Sequence, residues 1–141
     1  MANYHLVILK KPYLEEILSG RKIVESRFTH TRRGAFEGVC KGDKLFLKES
    51  SGPVCGTAVV SDVRRFEGLT PARMIELEKR YNDLVCGLRE YWASKAKSRF
   101  GVLVWLSEVR RIEPIRIAKK DWRAWVVLRE GADYGLLQRD F

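Results

Sequence analysis

The chain has 141 residues, 45% of them hydrophobic, and 27 Lys and Arg against 18 Asp and Glu give it a net charge of +9. That length buries a core without disulfides or a structural metal, and the three cysteines (Cys40, Cys55, Cys86) include no C-x-x-C pair, so they are expected to be small buried hydrophobes rather than a disulfide framework or zinc site. No apolar run approaches a membrane span and the first residues lack a signal-peptide pattern; a cytoplasmic protein of one domain over 1–141, with no membrane contact, is expected.

Tyr4 to Leu9 is apolar and partly β-branched, which predicts a buried first strand. Pro12 suits the first position of a helix running through Leu14 to Ser19. Glu15 and Glu16 then fall in its early turns, and Tyr13, Leu14, Ile17 and Leu18 lie on one side. Gly20 is a left-handed stop, and a strand follows from Ile23 to Phe28. Thr29 to Gly38, with Arg32-Arg33 and two glycines, reads as a flexible basic loop. Lys41-Gly42-Asp43 is a turn before a strand at Lys44 to Lys48. Ser50 to Pro53 is a second turn before a strand at Val54 to Val63, where Gly56 reads as a bulge.

Thr70-Pro71 caps and opens the main helical region. Met74, Leu77, Tyr81, Leu84, Leu88 and Tyr91 form a core-facing stripe, and Gly87 is a candidate break between two helices. Tyr91 and Trp92 beside Lys95 and Lys97 would suit base stacking, although Trp92 reads better as a packed helix end. Phe100 to Leu106 is a nearly continuous apolar strand covered on both faces. Val109 to Ile117, with Pro114 in it, reads as an edge strand or a bent one. Trp122, Trp125 and Val126 to Leu128 read as core-closing, and 129–141 as an appended tail.

The densest chemistry is Gly20-Arg21-Lys22-Ile23-Val24-Glu25-Ser26-Arg27. Extended from Ile23, the run sets Glu25 and Arg27 on one face with Val24 and Ser26 on the other, and leaves Lys22 in the turn. A carboxylate between two cations stays ionised and fixes them, leaving donors for a carbonyl, a base edge or a phosphate. Five basic residues against Glu25 alone over Ser19–Arg33, and nine against three acids over Ser94–Arg123, favour an anion-binding face over mere solvation. There is no P-loop, G-x-S-x-G elbow, H-E-x-x-H or metal-ligand cluster, so neither a cofactor nor a metal is expected.

Gly20, Lys22, Glu25 and Arg27 fill the pattern G-x-K-x-x-E-x-R. With the preceding Lys11-Pro12-Tyr13 and helix, the stretch resembles the signature of the ASCH domain, in the PUA-like group. The resemblance implies an α+β fold, a mostly antiparallel β-barrel flanked by α-helices, and an RNA, nucleoside or nucleotide ligand. The expected cleft uses Lys22, Glu25 and Arg27 as its floor, Lys10 near the entrance, and Arg32 and Arg33 on the loop. The alternative is a small hydrolase of RNA or a modified nucleoside, ribonuclease or N4-acetylcytidine amidohydrolase-like. There Lys22 would be nucleophile or base beside Glu25, which stands where that amidohydrolase pattern has a threonine.

Overall fold

The computed structural model describes residues 2–117 and 124–128. Lys119, Lys120, Trp122 and the 129–141 tail lie outside the described residues. The element order is β1 (Tyr4–Leu9), α1 (Lys11–Leu18), β2 (Val24–Thr29), α2 (Ala35–Gly38), β3 (Lys44–Glu49), β4 (Val54–Phe66), α3 (Pro71–Val85), α4 (Arg89–Ser94), β5 (Phe100–Ile115) and β6 (Trp125–Leu128). The strands form one sheet in the order β2-β5-β4-β3-β1-β6, antiparallel at every pairing except β1 with β3. It curves into a half-barrel, with β2 and β6 as its two edges.

Alternation along the strands decides which core each side chain enters. Val102 and Val104 of β5 point to an inner core with Val7, Leu45, Leu47 and Val60, closed by Leu14 and Ile17 of α1. Leu103 points the other way, into a second core with Val24, Phe28 and the α3 stripe of Met74, Leu77, Tyr81 and Val85. Both faces of β5 are therefore covered, as its unbroken apolar run requires. Thr70 Oγ1 accepts the Arg73 N–H at the start of α3. The helix ends at Val85, two residues before the glycine expected to divide it, because Cys86 itself adopts the left-handed conformation (φ 57°).

Three local expectations are corrected and one is refined. The first helix begins at Lys11, so no acid lies in its first turn, and Glu15 and Glu16 sit beyond it. The edge or bent strand expected at Val109–Ile117 is the bent far half of β5 itself: Glu108, with a positive φ of 46°, makes a bulge opposite β4 and the strand runs on to Ile115. The basic loop after β2 contains the short helix α2, whose Ala35 and Phe36 are buried. Cys40 is exposed, and Cys55 and Cys86 are only half-buried.

Candidate functional site

The signature residues sit on the edge of the sheet. At the ends of β2, Leu106 N–H donates to the Ile23 carbonyl and Arg99 N–H to the Thr29 carbonyl, so the odd-numbered residues face β5. By the alternation of an antiparallel pair, Val24, Ser26 and Phe28 turn their backbone groups toward the open side. Side chains occupy that edge. Lys22 Nζ donates to the Val24 carbonyl (2.9 Å), Tyr91 O–H donates to the Ser26 carbonyl (3.1 Å), and Ser26 N–H donates to Glu25 Oε1 (3.2 Å). Tyr91 also shares a 2.6 Å hydrogen bond with Ser26 Oγ. Burial pushes the Tyr91 hydroxyl well above its ordinary range and the Glu25 charge adds to this, so it remains a donor.

Lys22 is 2% exposed, not solvated in a turn. Its ammonium donates to the carbonyls of Val24 (2.9 Å) and Val85 (2.6 Å) and pairs with Glu25 Oε1 at 3.1 Å, which commits all three N–H bonds inside the protein. It reaches the cleft only as a buried wall atom, 5.6 Å from the centre of the Tyr13 ring. Glu25 receives Arg27 through Nε (3.1 Å) and Nη2 (2.6 Å) on its other oxygen. Burial raises the Glu25 pKa, but the charges and hydrogen bonds of Lys22 and Arg27 outweigh it and hold the carboxyl below the usual range.

Arg27 then crosses the seam. Its Nη2 donates to the Ile8 carbonyl of β1 (3.1 Å), Nη1 lies 3.5 Å from the Ala124 carbonyl just ahead of β6, and its guanidinium stands 5.4 Å from the Trp125 ring centre. Trp125 is fixed from behind. Its indole N–H donates to His5 Nδ1 (3.0 Å), and His5 Nε2–H in turn donates to Asp43 at 2.7 Å, the tautomer that this pair of partners dictates. Burial lowers the pKa of the fully buried His5, and Asp43 only partly opposes it.

Between these edges lies a cleft of about 920 Å³. Lys10, Glu25, Arg27 and Arg33 border it together with Lys22, and so do Pro12, Tyr13, Ser26, Phe36, Leu88, Tyr91, Lys95 and Trp125. Leu88, 62% exposed, stands at the rim. Arg32 is not among the lining residues: it pairs with Glu67 and lies over the rings of Phe36 and Phe100. Of the second basic segment, Lys95 reaches the cleft, whereas Arg111 pairs with Glu15 elsewhere. Among the described residues no group of three or more His, Cys, Asp or Glu could hold a metal ion, and no helix is long and apolar enough to cross a membrane.

Sequence reasoning did not assign Tyr91, Tyr13, Ser26 and Lys95 to the site. The available signal was Tyr91 with Lys95 one helical turn on, where the Lys95 ammonium lies 5.8 Å from the ring centre.

An open, six-stranded, mostly antiparallel half-barrel with helices at its seam and on its back is the PUA-like arrangement. Residues 7–130 match the family model of the ASCH domain, and the chain belongs to that family. It is similar in structure to ASCH from Zymomonas mobilis (16% identity, 90% of this chain and 88% of that one, TM-score 0.71). It is also similar to the N-terminal domain of McrB from Staphylothermus marinus (17% identity, 97% and 94%, TM-score 0.56). No curated protein matches it in sequence.

Proposed function

We propose that this ASCH domain binds RNA or a nucleotide-like ligand in the seam cleft. The observation that carries the reading is the composition of the cleft wall: Lys10, Arg27, Arg33 and Lys95 stand beside the rings of Tyr13, Tyr91 and Trp125. Cations meet phosphates while rings stack on bases, and neither alone would select a nucleic acid. Lys22 and Glu25 act beneath this surface, by holding Arg27 and the β2 edge in position. The ligand contacts fall to Arg27, Lys10, Arg33, Lys95 and the aromatic rings.

The hydrolase alternative requires Lys22 as nucleophile or base. Its nitrogen faces two carbonyls and a carboxylate, so a lone pair on it would point at oxygens and away from the cleft. Nothing in this geometry favours that reading over binding.

Binding of labelled single-stranded RNA to wild type and to the Lys10→Gln/Arg33→Gln double variant tests the proposal, with product formation followed in the same tubes. Both side chains are exposed, so the variant keeps the fold. Affinity reduced about tenfold without product is expected. Undiminished affinity would place the RNA elsewhere, and turnover would make the domain an enzyme.

A further inference from the structure

The cleft has two chemically different parts, and the difference specifies what its ligand carries. Resting on the reading above, we propose that the part bounded by Lys10, Arg27 and Lys95 is a seat for one phosphate group.

The three cations come from separate elements: the residue preceding α1, the middle of β2 and the residue following α4. All three border the same concavity. Several other surface cations are matched to acids, as Arg21 is to Glu16, Arg32 to Glu67, Arg73 to Glu76 and Arg111 to Glu15. Lys10 and Lys95, in contrast, have no ion-pair partner among the described residues. Arg27 gives Nε and Nη2 to Glu25 and Ile8, and among the described residues its Nη1 has the distant Ala124 carbonyl at 3.5 Å.

Two carboxylates line the cleft. Glu25 is buried and occupied by Lys22 and Arg27, and Glu90 is exposed on the first turn of α4. The start of α1, with neither a capping side chain nor an acid in its first turn, adds its positive end to the same side.

Arg27 is countered by Glu25, whereas Lys10 and Lys95 share the concavity with no ion-pair partner among the described residues. Burial first, then Arg27 and Lys10, hold the Lys95 ammonium below the ordinary lysine range, the strain that an oxyanion would relieve. Two or three charge-assisted bonds to phosphate oxygens use the donors that the fold leaves open. The rings of Tyr13 and Tyr91, 6.0 Å apart, then take the nucleoside. A phosphomonoester on a mononucleotide and a phosphodiester within RNA share this chemistry.

Calorimetric titration of the full chain with adenosine, 5′-AMP and the dinucleotide ApA lacking terminal phosphates, on wild type and Lys95→Gln, separates them. A phosphate-bearing probe is expected to bind about tenfold tighter than adenosine, and Lys95→Gln to remove most of that advantage, read as the ratio of the two affinities on each protein. A preference for 5′-AMP marks a terminal phosphate, and one for ApA an internal phosphate. Equal affinity for all three overturns the seat and leaves the cleft as a nucleoside site.

An NMR titration of the Lys95 ammonium with inorganic phosphate is independent of any nucleoside. Its titration midpoint is expected to rise by about one pH unit. No movement overturns the seat even if RNA binds, whereas movement without binding of any nucleoside or RNA supports the seat and sinks the nucleic-acid reading.

Discussion

The hydroxyl of Tyr91 stands 2.6 Å from Ser26 Oγ and 3.1 Å from the Ser26 carbonyl oxygen, so one side chain beside the cleft covers the exposed edge of β2. An uncovered strand edge recruits another strand, and this one instead ends at a cleft wall. Tyr91→Phe keeps the ring and removes both contacts, leaving the Ser26 carbonyl without its donor. Stability should fall by about 1–2 kcal/mol in chemical denaturation, and an unchanged midpoint would mean that the hydroxyl does not hold the edge.

Lys22 should behave as a structural residue. Lys22→Met strands a buried Glu25 with one partner and two carbonyls with none, for a loss of about 3–5 kcal/mol. The double variant Lys22→Met/Glu25→Gln should lose less than the sum of the single losses, since the uncompensated charge is gone. Full stability in Lys22→Met, with only ligand binding lost, would return Lys22 to the ligand.

Acid should weaken the fold through two groups. His5 has a folded pKa below its ordinary 6.5, so the neutral ring's contribution is complete above 6.5 and is lost as pH falls through the folded value. Protonation would also put a hydrogen on Nδ1 facing the indole N–H of Trp125, donor against donor. Glu25, likewise lowered, contributes above its ordinary 4.5 and is lost at still lower pH. Urea midpoints should therefore decline below about pH 6.5 and decline further under about pH 4.5. His5→Gln should flatten the upper part of that profile; a profile identical to wild type would clear His5.

Raised salt should weaken RNA binding. The slope of log K against log salt is expected to be about −0.7 for each RNA phosphate neutralised, and Lys10→Gln should make it shallower. A flat response would indicate that stacking alone carries the affinity.

Cys86 holds a left-handed conformation at the end of α3, where an L side chain is strained. Cys86→Gly should stabilise the protein by about 0.5–1 kcal/mol, read as a raised melting temperature with cleft binding unaltered.

The first strand, the α3 stripe and the signature strand were legible because burial repeats at their own periods, and Tyr4–Leu9 coincides with β1. The bulged β5 was not. Pro114 reads as a strand breaker, yet it falls between the Val54–Ile115 and Gly56–Arg111 pairs, where the register shifts. The cluster of Lys22, Glu25 and Arg27 was legible, but its division of labour was not. Whether an ammonium faces a cleft or the carbonyl of Val85 depends on where α3 ends, 63 residues away. The pairing of Arg32 with Glu67 was hidden for the same reason, since its partner lies just past the end of β4.

The wall behind Arg27 depends on chain order. β6 is held to the sheet by β1, with Tyr4 opposite Leu128 and the indole of Trp125 bonded to His5 across 120 residues. Contacts so distant in sequence carry the largest loop-closure cost, which favours their forming after the local helices and the β4–β5 pairing. A partly folded chain would have its signature strand formed but no Trp125 behind the guanidinium. On the binding role proposed above, competence would arrive with the final closure of the sheet, and a bound ligand would report a finished molecule.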